Sequence, residues 1–353
     1  MRKYFIDNLR WICVLLLIPY HTLMVFNTFE SFYIKGDNIE AATRILSAIW
    51  PWFMTLLFLL AGASSAYSLE KRTVKEYIRE RVFKLLIPLL SGVLLLVPVQ
   101  TYFAEKFHNS YSGSYFGQYI LFFTKPTDLT GYQGGFTPAH LWFIMYLFII
   151  SLIALPVQYL YQKSGKKFQA EKIPFPLLIL FLFIPGFSQV ILDISGKSVG
   201  EYLAYYLFGY FLISSGALQE KLEKYRFLLL GLSLPCMIFS HTAEAIGNFN
   251  LIIYEILYNF YAWGTILAII GFGKRHLNFE NRVTSYFSKS SFSVYVYHQE
   301  WIVICAYFTL KLVQNIPLQM ISISITTFIF TFLTYEVFKR FPVTRFMFGI
   351  KKQ

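Results

Sequence analysis

Arg10 and His21 stand in one long apolar run, Tyr4 to Asn27, with ten residues between them. Eleven helical steps of about 100° come to about 1100°, roughly 20° past three full turns, so a helix would place both side chains on one face. At about 1.5 Å per residue they would lie roughly 16 Å apart along the axis. One face would then offer a fixed cation near a membrane surface and a titratable imidazole deep inside. The cation suits a phosphate or carboxylate, and the imidazole suits proton transfer near neutral pH. Ionisable groups inside a membrane are costly and mark ligand paths, proton paths or reactions. Taken singly, Arg10 also fits a positive-inside anchor and His21 a packing histidine. The shared face, with Asp7 and Asn8 before it and Pro19-Tyr20 just ahead of the histidine, favours function.

The elements that must position these residues are membrane helices. Of 353 residues, 56% are hydrophobic and only 14% charged, with a mean hydropathy of +0.52. A soluble domain carries about a quarter charged residues. Apolar runs long enough to span a bilayer recur from end to end. They predict an all-α polytopic bundle of about ten transmembrane helices, near 9–27, 45–67, 85–104, 139–162, 173–193, 200–218, 227–243, 250–272, 289–310 and 318–338. The whole chain, 1–353, reads as one integral membrane domain. The first run lacks a small-residue cleavage site, so no signal peptide is expected. With the N-terminus in the cytoplasm, all but six of the 31 Lys and Arg residues fall on the cytoplasmic side. The exceptions are Lys35, Arg44, Lys106, Lys125, Lys197 and Lys311. This asymmetry predicts N-in and C-in. It also accounts for the net charge of +12 without a nucleic-acid partner, and part of it suits anionic lipid headgroups. Cys13, Cys236 and Cys305 have no metal-binding or disulfide spacing, and no metal site is expected.

Other residues with chemical potential follow in chain order. Ala61-Gly62-Ala63-Ser64-Ser65-Ala66 reads as a close-packing face in the second span. The segment Glu70 to Lys84 reads as an interfacial helix running into the third span at Pro88. It sets Arg81 and Lys84 on one face, suited either to nucleotide phosphates or to lipid headgroups. The long outer loop, Glu105 to Ala139, holds Tyr111, Tyr115, Tyr119 and Tyr132, which suit either a sugar or an interfacial aromatic belt. His108 within it reads as exposed. His140, at the outer end of the fourth span, reads as an interface residue. Glu255, in the eighth span, should face the interior and a cationic partner. In the ninth span Ser291, Tyr295 and His298 share a face. His298 and Glu300, about 200° apart, should not share one site.

Several of these motifs carry a family resemblance. Asp7-Asn8-Leu9-Arg10, ten residues, then His21 resembles the Arg-x10-His signature of the acyltransferase family 3 membrane proteins. The run Trp52-Phe53-Met54 through Gly62 is similar to that family's second span. Arg81-Val82-Phe83-Lys84 is similar to its Arg-x-x-Arg pair, with Lys keeping the charge and losing the bidentate fork. Leu141-Trp142-Phe143 and the segment Ser290 to His298 resemble its fourth-span and late serine-aromatic-histidine segments. The resemblance covers spans one to four and nine. It implies transfer of an acyl group, acetyl or succinyl, from cytoplasmic acyl-CoA to a hydroxyl of a glycan or other acceptor at the far side of the cell membrane. By that resemblance His21 is the catalytic residue, Arg10 with Arg81 and Lys84 binds the donor, and Asp7, His140, Trp142, Tyr295 and His298 are acceptor-site or supporting residues. Acyl-CoA would be a co-substrate, with no permanently bound cofactor. The late match and the second-span run lean toward the glucan-modifying branch.

Buried His and Glu residues among ten spans also suit a transporter or flippase exporting a glycan, lipid-linked sugar or small solute. The chain lacks the internal repeat that such a fold often carries. Walker, dinucleotide-binding and nucleophile-elbow motifs are absent.

Overall fold

The apolar runs fold as helix almost throughout. The computed structural model describes residues 3–166, 168–247 and 250–351. In chain order the helices are α1 (Tyr4–Met24), α2 (Glu40–Leu69), α3 (Val74–Arg81), α4 (Ile87–Leu95), α5 (Val97–His108), α6 (Tyr115–Thr124), α7 (Trp142–Ile153), α8 (Leu155–Lys163), α9 (Phe175–Leu180), α10 (Phe183–Ser188), α11 (Val199–Phe208), α12 (Gly216–Ile246), α13 (Leu251–His276), α14 (Arg282–Leu312), α15 (Ile316–Phe338) and α16 (Pro342–Met347). Strands β1 (Asp193–Ile194) and β2 (Lys197–Ser198) pair antiparallel and form the only sheet among the described residues.

Six segments are long and apolar enough to cross a membrane: Glu40–Leu69, Val74–His108, Ala139–Lys163, Gly216–Ala243, Leu251–His276 and Ile316–Phe338. The other four of the ten expected segments are helical but shorter or more polar. Phe175–Ser188 and Val199–Ile213 are short. α1 and α14 have the length, at 21 and 31 residues, and differ in the polar side chains they contain. Arg2, Lys167 and Lys352, three of the basic residues assigned to the cytoplasmic side, lie outside the described residues.

Two departures from the sequence reading have local causes. The short seventh span and the loop before it are one 31-residue helix, α12. Ser215 caps it, its hydroxyl accepting the Leu218 N–H at 3.4 Å, and no breaker follows for some twenty residues, so Lys221, Lys224 and Arg226 ride on helix. The fifth span, expected as one run, breaks in its middle, between α9 and α10. Pro185 has no N–H to offer the Phe181 carbonyl, which is where α9 stops.

The interfacial segment is helical as expected. Thr73 and Glu76 cap it reciprocally, the Thr73 N–H reaching Glu76 Oε2 at 2.9 Å and the Glu76 N–H reaching Thr73 Oγ1 at 3.3 Å. Between α3 and α4 the chain widens into one π-helical turn, Val82–Leu86. Pro88 follows at once, and its ring and missing N–H release the Lys84 carbonyl from the helix ladder.

The chain divides into two compact units. The first joins Met1–Arg10, Ser47–Arg79 and Leu147–Thr284. Its packing rests on backbone approach at glycine. A Cβ at Gly62 would strike the Tyr206 carbonyl, and one at Gly209 would strike the Leu59 carbonyl. α2 therefore meets α11 and the turn that follows it main chain to main chain, as the small-residue run in α2 predicts. Beside this contact Tyr77 of α3 is fully buried, its hydroxyl bonded to Ser65 at 2.8 Å and to Tyr206 at 2.9 Å.

The second unit joins Trp11–Leu46, Glu80–Tyr146 and Ser285–Gln353. Here α15 is apolar outside and polar inside. Ile321, Ile325, Ile329 and Leu333 are exposed at four-residue spacing, while Ile323, Thr327, Thr331 and Tyr335 are buried at the same spacing. That inversion suits hydrocarbon as the surrounding solvent. α14 is buried on every side from Ser293 to Glu300.

Candidate active site

Three histidines from three separate stretches of the chain meet in the second unit. His21 comes from α1, two residues after Pro19, whose missing N–H frees the Leu15 carbonyl. His298 comes from α14 and is fully buried; its ring centroid lies 5.2 Å from that of His21. His140 comes from the short 3-10 turn Ala139–Leu141 that leads into α7, with its ring 5.1 Å from His298. Ala139, just before it, has φ +48°. This left-handed conformation costs a non-glycine residue about 1–2 kcal/mol and is held by Thr137, whose hydroxyl accepts the Ala139 N–H at 2.8 Å.

Backbone carbonyls fix the tautomers of two of the rings, because a carbonyl can only accept. His298 Nδ1 lies 2.7 Å from the Tyr295 carbonyl and so bears the proton, leaving Nε2 as a bare lone pair. His140 Nε2 lies 3.1 Å from the Val296 carbonyl and bears the proton there. Its Nδ1 then accepts from Gln100 Nε2 at 3.4 Å. Tyr295 donates its hydroxyl to the His140 carbonyl. Gln100 also donates to Glu300 Oε1 at 3.0 Å and accepts from Gln299 Nε2 at 3.2 Å. His140 Nε2 and Glu300 Oε1 stand 4.0 Å apart.

Glu300 therefore belongs with the histidines, contrary to the reading that its angle from His298 keeps the two apart. A helix buried all round has protein on every face, so side chains pointing in opposite directions both reach the cluster, here joined by His140. Several atoms in it are buried without a hydrogen-bond partner among the described residues: His21 Nδ1, His298 Nε2, Gln299 Oε1 and Glu300 Oε2. Orphans of this kind are rare in native interiors and mark places where a ligand or a shifted proton completes the set. No three His, Cys, Asp or Glu side chains among the described residues are placed to hold a metal ion.

Aromatic rings cover His21. Phe32 stacks at 6.0 Å and Tyr20 stands edge-on at 5.3 Å. Tyr132, from the loop between α6 and the Ala139–Leu141 turn, packs on Phe32 at 5.7 Å and Tyr33 at 5.2 Å. Burial pushes the Tyr132 phenol well above its usual range, with Glu30 and Asp128 adding to the effect. The loop is an ordered structure: it contains α6, and Lys125 pairs with the buried Glu105 at 2.7 Å. Gly134, at φ +91°, lies where a Cβ would strike that carboxylate. His108 is partly buried, not exposed, and its Nε2 reaches the Phe32 carbonyl at 2.9 Å. Tyr111 and Tyr115 instead gather edge-on around Tyr102, with Tyr119 edge-on to Tyr115.

The other sequence-derived candidates lie elsewhere. Arg10, on the first unit's part of α1, pairs with Asp7 at 3.1 Å and donates to Ser64 on α2. Arg81 and Lys84 sit one turn apart at the end of α3 and in the π-turn, and Lys84 pairs with Glu80. Trp142 stands edge-on to Phe143 and Tyr146. Glu255 is partly buried and has no ion pair among the described residues, so the cationic partner expected for it is not found; its carbonyl accepts from Asn259 at 2.8 Å. Of the expected site residues, the structure brings together His21, His140, Tyr295 and His298. It adds Gln100, Gln299 and Glu300, whose only sequence signal was their polarity within apolar runs.

The sequence matches an acyltransferase domain over residues 3–336. It is 22% identical over 379 residues to the glucans biosynthesis protein C of Salmonella schwarzengrund, covering 99% of this chain and 95% of that protein. The glucans biosynthesis protein C of Salmonella heidelberg matches at the same identity and coverage. No solved structure matches the chain.

Proposed function

Because the chain belongs to the acyltransferase-3 family, we propose that it is a multi-pass protein of the cell membrane that moves an acetyl or succinyl group from acyl-CoA to a hydroxyl of a glucan or similar glycan. The observation that carries this reading is the buried histidine cluster around His21, on the same helix as Arg10. Acyl-CoA approaches from the cytoplasm and its phosphates meet Arg10, which Asp7 orients; Arg81 and Lys84 are further donor-binding cations by the family resemblance. The thioester already holds the activation energy, so the protein needs only to align two reactants and move a proton. His21 takes the acceptor's hydroxyl proton as that oxygen attacks the thioester carbonyl. The new C–O bond forms, the C–S bond breaks, and His21 returns the proton to the departing thiolate. The names of the relatives support a glucan as acceptor. The aromatic roof of Phe32, Tyr33 and Tyr132 supplies the apolar, stacking surface that sugars favour.

The test is mass spectrometry of surface glycans from cells with and without the gene, together with transfer of label from acyl-CoA by the purified protein. Esterified glycan only when the gene is present, and label transferred in vitro, are expected. The buried His298 and Glu300 also suit proton-coupled export. Unmodified glycan that reaches the outside only when the gene is present would favour that second reading.

A further inference from the structure

Two ring nitrogens of the cluster lack partners among the described residues, and they are complementary. His298 Nδ1 is committed to the Tyr295 carbonyl at 2.7 Å, so its Nε2 can only accept, and no donor meets it. His21 Nδ1 is buried and likewise unmet. The ring centroids are 5.2 Å apart. A hydrogen bond of about 3 Å between ring nitrogens, with two ring radii added, spans about that separation. The rings are tilted by 39°, and rotation about the second side-chain torsion of histidine is soft. His298 is held rigidly: it is fully buried, and the His140 and Tyr295 rings stand at 5.1 and 6.0 Å.

We propose that His298 is the positioning residue for His21. Its bare Nε2 accepts the Nδ1–H of His21, which fixes the tautomer and plane of that ring and leaves His21 Nε2 as the lone pair that meets the acceptor hydroxyl. The arrangement is that of a base oriented by a second group through its far nitrogen, with a neutral imidazole in place of a carboxylate. The Nδ1 proton stays between the two rings throughout; the proton that His21 collects from the hydroxyl sits on Nε2 and passes from there to the departing thiolate. Phe32 and Tyr20 hold the other sides of the His21 ring. The titratable groups facing the pair are His140, from the turn before α7, and Tyr295 and Glu300, from α14. The proposal rests on the acyltransferase reading for its meaning, but its geometry can be tested separately.

The test compares His298→Met, which keeps bulk and loses the acceptor, with His298→Gln, whose amide oxygen can still accept. In detergent-solubilised protein with 15N-labelled imidazoles, His21→Gln assigns the His21 signals among the six histidines. We expect the proton on His21 Nδ1 in wild type and in His298→Gln, and a mixture of tautomers in His298→Met. The kcat for transfer should fall by about a hundredfold or more in His298→Met and by about tenfold or less in His298→Gln, with the KM for acyl-CoA unchanged in both. An unchanged His21 tautomer in His298→Met, or equal losses in the two variants, would overturn the proposal. If the tautomer responds but wild type transfers no acyl group, the pairing stands and the acyltransferase reading falls.

Discussion

The two ends of α1 differ in how their polar side chains are satisfied. At the Arg10 end the guanidinium has Asp7 at 3.1 Å and the Ser64 hydroxyl, which in turn donates to the Leu60 carbonyl at 2.8 Å. At the His21 end a ring nitrogen is buried and unmet, beside a second histidine in the same condition. A charged group with partners already in place is stable without a ligand, and it can bind one by exchanging those partners. A buried polar atom with no partner costs about 1–3 kcal/mol, and that cost persists only where something else is gained. The contrast suggests different roles on one helix: grip at Arg10, chemistry at His21.

The sharpest way to break this contrast is at His21. His21→Gln keeps a hydrogen-bonding side chain and loses the titrating ring. Label transfer from acyl-CoA should fall by about 10²- to 10⁴-fold, with protein level and CoA affinity little changed. Near-normal transfer by this variant would remove His21 from the chemistry and leave it a packing residue.

Much of this site was legible in the sequence, and the reasons for the gaps are local. The Arg10–His21 spacing fixes their common face because a helix has one period, and α1 is helical through both residues. The Gly62 contact followed from residue size alone, since only small residues let helix backbones approach so closely. His140 and Glu300 were harder. The position of His140 depends on one left-handed residue, Ala139, whose conformation no sequence period encodes and which Thr137 stabilises from two residues away. Glu300 was set apart from His298 by helical angle, a rule that presumes a solvent- or lipid-facing side; α14 has none at that level. Gln100 and Gln299 are neutral, and a neutral amide in an apolar run gives little warning that it joins a network 199 residues across the chain.

At the other end of α1, Arg10→Ala should raise the KM for acyl-CoA by about tenfold, equivalent to about 1.4 kcal/mol of donor binding, and leave kcat nearly unchanged. Arg10→Lys should recover part of that loss, because it restores the charge without the planar fork. A donor titration of the three proteins in detergent decides the matter. Equal KM values would make Arg10 an anchor, and a fall in kcat instead would erase the difference between the two ends of the helix.

The smallest effect is expected at Ser64. Its hydroxyl accepts from Arg10 and spends its own proton on Leu60, so Ser64→Ala removes one of the two partners of Arg10 and none of its charge. Asp7 remains, on the same helix and one turn away, and keeps the guanidinium near its place. A hydrogen bond to a charged group is worth about 1.5–3 kcal/mol when fully desolvated. Arg10 is a third exposed at its side chain, so solvent replaces much of that, and a two- to fivefold rise in KM for acyl-CoA is expected. Protein yield should not change, because alanine fits the small-residue face of α2. If Ser64→Ala instead raises KM as much as Arg10→Ala does, then α2, and not Asp7, sets the pose of the guanidinium, and the grip at this end is a two-helix device.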